Sequence, residues 1–379
     1  MTVETYLFLK VAWWLLLGVL LLGIAVMMGT DMGVGAMLRW VGRTDVERRV
    51  ALNVIGPHWD GNQVWFVLGG GAMFAAWPLV YATAFSGLYV VMLVLLWSMI
   101  IRPLGFEYRS KLSVPAWRNA WDWVLFVSGV VPMLVFGAAI GNLFLGLPFQ
   151  FSWNLTSWYD GNFVALFNPF ALLCGGLSLA MAAYMGCARL MMGTDGDLYH
   201  RSRNYGWWAG LLAVALFVVG GLWITALEGY VVVDAPSHGV AQTPLQQVVA
   251  VVPGAWLDNF AIRPWGWALP LLGGIFILAG TAALRAHRPV TGWWLGALGW
   301  FGVIGTAGFA LFPFLMPSSS APAQSLTVWN ASASEHTLLW MSGFSVILLP
   351  LVVWYTSWAF YMMRGKVSTE QIESDEHAY

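Results

Sequence analysis

Residues 8–30 read FLKVAWWLLLGVLLLGIAVMMGT, 23 positions carrying a single charge, Lys10. A helix needs about 20 mostly apolar residues to cross about 30 Å of hydrocarbon, so this stretch is long enough to span a bilayer. Working outward, the pattern recurs and gives nine expected spans, at 8–30, 57–77, 79–101, 121–145, 163–188, 206–230, 264–284, 291–315 and 338–362. The second and third are separated only by Trp77 and Pro78, but their combined run is too long for one crossing, which predicts a tight hairpin. The fold class expected is an all-α integral membrane protein: one polytopic domain over 1–379, with a short cytoplasmic tail at 366–379.

Composition agrees. Of 379 residues, 59% are hydrophobic and 9% charged, against roughly a quarter charged in a soluble domain, too few to cover a soluble surface. A net charge of -1 provides no basic field for nucleic acid, and the acidic run from Glu370 to Glu376 reads as a solvated terminus. Cys174 and Cys187 make no CxxC pair and read as buried free thiols. Met1 to Tyr6 lacks a basic region before the apolar run, so the first segment is expected to stay in the membrane.

Arginine and lysine set the orientation. Of 17 such residues, 15 follow the odd-numbered spans, leaving Lys10 and Arg263 on the other side. By the positive-inside rule the N-terminus is periplasmic and the C-terminus cytoplasmic. The loops after spans four, six and eight then lie outside.

Ionisable groups in hydrocarbon cost at least roughly 2.5 to 3.5 kcal/mol and imply a partner or a pathway. Three polar clusters fall at the inner ends of spans: Gly29-Thr30-Asp31-Met32-Gly33, Pro57-His58-Trp59-Asp60-Gly61-Asn62-Gln63-Val64-Trp65, and Arg102-Pro103-Leu104-Gly105-Phe106-Glu107-Tyr108-Arg109. One interpretation is a proton path with Asp31 and Asp60 as carriers, His58 as a relay, Arg102 setting their charge state and Glu107 at the margin. The other is that Asp31 and Asp60 cap helices or pair with Arg102, with Glu107 and Arg109 as ordinary interfacial charges. Trp59 and Trp65 are candidates for lining an oxygen path, although 25 tryptophans occur in the chain and Trp favours membrane interfaces.

Only His58 lies near a span, whereas a haem with two axial side chains needs a His facing another His or a Met. His200 and His287 are expected in inner loops, His238 and His336 outside, and His377 in the tail. HExxH, Walker and GxGxxG patterns are absent.

These residues carry a resemblance. His58 to Trp65 with Gly70 to Pro78, Arg102-Pro103 with Phe106 to Arg109, Trp117 to Asp122, Gly141 to Leu143, and Phe312 to Ser319 resemble subunit II of the cytochrome bd ubiquinol oxidases, over about Trp13 to Tyr379. The resemblance implies two four-helix bundles plus a peripheral helix in the bacterial inner membrane. It also implies a heterodimer with subunit I, which ligates haems b558, b595 and d and oxidises quinol on the outer side. Subunit II then helps enclose b595 and d near the interface and supports oxygen or proton access while oxygen is reduced to water and a proton gradient forms. Asp31 and Asp60 match buried acidic positions of the family, and Trp65 an oxygen-channel position. A structural quinone and a small single-span accessory subunit are left open. One departure is Met28-Gly29-Thr30-Asp31, where relatives often read Asp-Gly-Phe-Asp. The alternative function is a proton-coupled secondary transporter, which predicts internal repeats and helices broken near the midplane.

Overall fold

The computed structural model describes residues 3–362 and 365–367. Most of the tail expected at 366–379, with Arg364 and His377, lies outside them.

The first span is one long helix in two parts, α1 (Val3–Gly23) and α2 (Gly29–Val41), joined by a π-helical turn at Ile24–Met28. A short helix, α3 (Asp45–Ile55), follows; it starts at a capping box in which Thr44 Oγ1 accepts from the Glu47 amide and the Glu47 carboxylate accepts from the Thr44 amide. Next come α4 (Trp59–Ala76), α5 (Pro78–Gly87), α6 (Tyr89–Arg109), α7 (Pro115–Leu145), α8 (Pro169–Gly193) and α9 (Gly196–Ile224). After the short α10 (Asp258–Ile262) come α11 (Ala268–Arg285), α12 (Pro289–Leu311) and α13 (Glu335–Met362). Among the described residues, eight helices are long and apolar enough to span a membrane, and α4 with α5 forms a ninth candidate bent by 117°.

That bend corrects the third expected span. Pro78 opens α5 at its first turn, where its missing N–H costs nothing, and the chain turns sharply away from α4. A second break at Leu88 separates α5 from α6, so the long helix runs over 89–109 rather than 79–101. Uniform apolarity hid both breaks. The shift also carries Arg102, Glu107 and Arg109 into the last turns of α6 instead of leaving them beyond its end. In the same way α9 begins at Gly196, so His200 is helical rather than in a loop.

Among the described residues α8 is the most enclosed of the candidate spans and α13 the least. Its crossing with α2 needs glycine, because a Cβ on Gly33 would lie 1.8 Å from the Ala182 carbonyl oxygen. At one end of the bundle the long loops knit into a cap of three antiparallel pairs: β1 (Phe149–Phe151) with β2 (Ser157–Tyr159), β3 (Glu228–Asp234) with β4 (Val248–Pro253), and β5 (Phe314–Met316) with β6 (Leu326–Thr327). Lys10, fully buried, fastens α1 to this cap: its ammonium donates to the carbonyls of His238 (3.0 Å), Val240 (3.2 Å) and Trp329 (2.8 Å). Three acceptors and the Tyr6 ring at 4.2 Å satisfy a charge otherwise costly at that depth.

The opposite end is held by ion pairs. Arg109, fully buried, donates to Asp122 at 2.6 Å and Asp45 at 2.8 Å; Arg48 reaches Asp122 at 2.8 Å, Arg118 reaches Asp45 at 2.5 Å, and Arg201 meets Glu47. Arg109 is thus no ordinary interfacial charge: it ties α6 to α7 and α3. Glu47 lies outside the spans. Burial raises its pKa, but bonds from the Thr44 amide, Arg201 and the Arg43 amide outweigh that and hold the carboxyl below its usual range.

Candidate functional site

The polar clusters of α2, α4 and α6 meet near the ion-paired end. Asp31, 4% exposed and one turn into α2, accepts a 2.7 Å hydrogen bond from Asn62 Nδ2 of α4. Beside it, the buried guanidinium of Arg102 on α6 donates to the sulfur of Met32, the next residue after Asp31. Arg102 and Arg189 of α8 lie within electrostatic range of Asp31, and among the described residues neither comes within ion-pairing distance of its carboxylate. A buried polar group is tolerated when hydrogen-bonded, and Asn62 supplies that bond to Asp31. Arg189 also donates to the Val54 carbonyl at 3.1 Å.

His58 precedes α4 and is buried, its ring stacked on Phe360 of α13 at 4.0 Å, and Arg189 lies over that Phe360 ring at 5.8 Å. Asp60 and Glu107 are both exposed on the isolated chain, so neither belongs to the buried cluster. Trp59 stacks on Phe106 at 4.9 Å, and Arg102 lies over the same ring at 5.7 Å. Trp65, 8% exposed, lies in the notch left by Gly23, where a Cβ would come within 2.1 Å of the indole.

Asn62 and Arg189 are site residues that the sequence does not mark: Asn62 sits beside the more conspicuous His58 and Asp60, and Arg189 is one of several basic residues that follow the fifth span. Their convergence on Asp31 depends on how α4 and α8 cross α2, which one sequence does not reveal. Met28 is buried in the apolar core.

Residues 9–363 match the family model described as cytochrome bd terminal oxidase subunit II. The chain belongs to that family. It is 45% identical over 371 residues to cytochrome bd-I ubiquinol oxidase subunit 2 of Escherichia coli (strain K12), covering 98% of each chain. It is 44% identical over 373 residues to a probable cytochrome oxidase subunit 2 of Haemophilus influenzae, covering 98% of this chain and 99% of the relative. The solved bd oxidase of Geobacillus thermodenitrificans shares the fold, with a TM-score of 0.61 at 15% identity over 94% of this chain and 98% of that one. As a bd oxidase subunit II, the chain is a multi-pass membrane component of an oxidoreductase complex, which implies a partner subunit I. Nothing in these matches favours the transporter alternative.

Proposed function

We propose that this chain packs on a haem-bearing subunit I and conducts protons from the cytoplasmic side toward the oxygen-reducing centre, while quinol is oxidised on the outer side by the partner. Reducing oxygen to water consumes protons. Drawing them from inside, while quinol releases its own outside, makes a proton gradient without pumping.

The observation that carries this is the buried Asp31 carboxylate, bonded to Asn62 and within electrostatic range of Arg102 and Arg189, at the end where the basic residues gather. A carboxylate can take and release a proton, and fixed neighbouring cations let its affinity respond to charge arriving nearby. Asp60 lies two residues before Asn62 on α4 and is exposed on the isolated chain, a suitable place to exchange protons with water or with the partner. His58 and Arg102 complete the path, Glu107 stands at its margin, and Trp59 and Trp65 border an oxygen route. The positive-inside distribution supports a periplasmic N-terminus and a cytoplasmic C-terminus.

Haem ligation by two axial side chains needs a His facing a second His or a Met. Among the described residues the ring contact of His58 is with Phe360, which does not fit an axial pair. We assign haems b558, b595 and d to subunit I, with b595 and d near the interface. A structural quinone and a single-span accessory subunit are compatible additions.

The test is Asp31→Asn in the assembled complex. Normal reduced-minus-oxidised haem spectra with slowed turnover support the proton role. Lost haem b595 or d makes Asp31 structural, and normal turnover sends the protons elsewhere.

A further inference from the structure

Asp31 lies three residues beyond Met28, the end of the one stretch where the first span departs from α-helical winding. Over Ile24–Met28 the backbone is π-helical, and the Gly29 amide reaches back five residues to the Ile24 carbonyl while also approaching that of Val26. A π turn takes in one extra residue, so everything after it is rotated by about 100° relative to an uninterrupted α-helix. Such a turn weakens the local ladder and persists only where the surroundings hold it.

Two side chains hold this one. Thr30 Oγ1 donates to the Val26 carbonyl at 2.5 Å, inside the wide turn, and the same oxygen accepts from Trp293 Nε1 of α12 at 3.2 Å. The turn is flanked by Gly23, which makes room for Trp65, and by Gly29. Immediately beyond Thr30 come Asp31, which meets Asn62, and Met32, which meets Arg102. The α1 side of the turn is fixed separately, since Trp13 donates to the Leu338 carbonyl and to Ser342 of α13. Removing the extra residue would leave one of the two faces turned away from its partners.

We infer that the π turn at Ile24–Met28, locked by Thr30 and Trp293, is the positioning element that sets the rotation of Asp31 against Asn62 and Arg102. Thr30 and Trp293 are thus positioning residues, and their effect on turnover rests on the proton role proposed above for Asp31. The effect on Asp31 geometry does not.

The test uses the intact complex and three variants. Thr30→Val removes the hydroxyl, Thr30→Ser keeps it, and Trp293→Phe removes the indole donor. The infrared bands of Asp31 are those of a pH-difference spectrum that vanish in Asp31→Asn. Thr30→Val and Trp293→Phe are expected to shift these bands and lower kcat about fivefold, the effect of one hydrogen bond. The KM for quinol should be unchanged, and Thr30→Ser should match the parent chain. Bands unmoved in both Thr30→Val and Trp293→Phe overturn the inference. If Asp31→Asn keeps full turnover while Thr30→Val still shifts the bands, the proton role fails and the positioning stands.

Discussion

Asp122 holds the ion-paired end of the molecule, and its removal should cost more than that of any exposed charge. Its side chain is 1% exposed and accepts from Arg109 Nε at 2.6 Å and Arg48 Nη1 at 2.8 Å, while Arg109 itself has 0% exposure. Asp122→Leu would leave the Arg109 charge buried with only the half-open Asp45 as counter-ion, Asp45 being 37% exposed and shared with Arg118. Breaking a buried pair from one side costs about 3–5 kcal/mol, which for a chain of this size is a fall in Tm of roughly 4–6 °C. Replacing both partners behaves differently, because the desolvation of Arg109 is removed with it. Arg109→Met with Asp122→Leu should recover most of the loss, since Asp45 keeps Arg118 and Arg48 keeps its 2.9 Å bond to the Gly42 carbonyl. The assay is thermal unfolding of the detergent-solubilised complex for the parent, both single variants and the double. If Asp122→Leu melts with the parent, or the double melts as early as Asp122→Leu alone, this pair is not what clamps α6, α7 and α3.

A reporter active only in the periplasm should give signal after Gly239 and none after Tyr379, and the opposite pattern would invert the orientation. Trp65→Ala should alter the apparent oxygen affinity and leave quinol binding unchanged in an assembled complex; unchanged oxygen affinity would make Trp65 a packing residue filling the Gly23 notch. Gly33→Ala should lower the yield of assembled complex sharply, because the clash is with the backbone oxygen of Ala182, which cannot swing aside. The Glu47 carboxyl titrates below the ordinary glutamate range, so its contribution is complete above that range and is lost as pH falls through the depressed value. Glu47→Gln should therefore flatten the acid limb of a stability-against-pH curve, and an unchanged slope would show that other carboxylates set it.

What the sequence made legible follows from what hydrocarbon demands. Apolar length announced the spans, because a polar backbone in lipid has no partner except its own helix. The ionisable residues that break the rule, Asp31 and Arg102, stand out for the same reason and meet in one cluster, which Asn62 completes. Lys10 also stood out, but as a stray outer charge; that it is caged by three carbonyls depends on loops more than 200 residues away in the chain. The Arg109–Asp122 pair escaped notice because two residues 13 apart look unrelated until the turn between α6 and α7 folds them together. Helix α3 has a local sign, the Thr44 to Glu47 capping box, set in a basic stretch whose plainer message is orientation. The π turn had no sign at all. Ile24-Ala25-Val26-Met27-Met28 is as good an α-helix as its neighbours by composition, and only the competing demands of α4, α12 and α13 on one helix force the extra residue. Apolar sequence thus states where a helix lies in the membrane, while its rotation, on which a buried carboxylate depends, is decided by the helices around it.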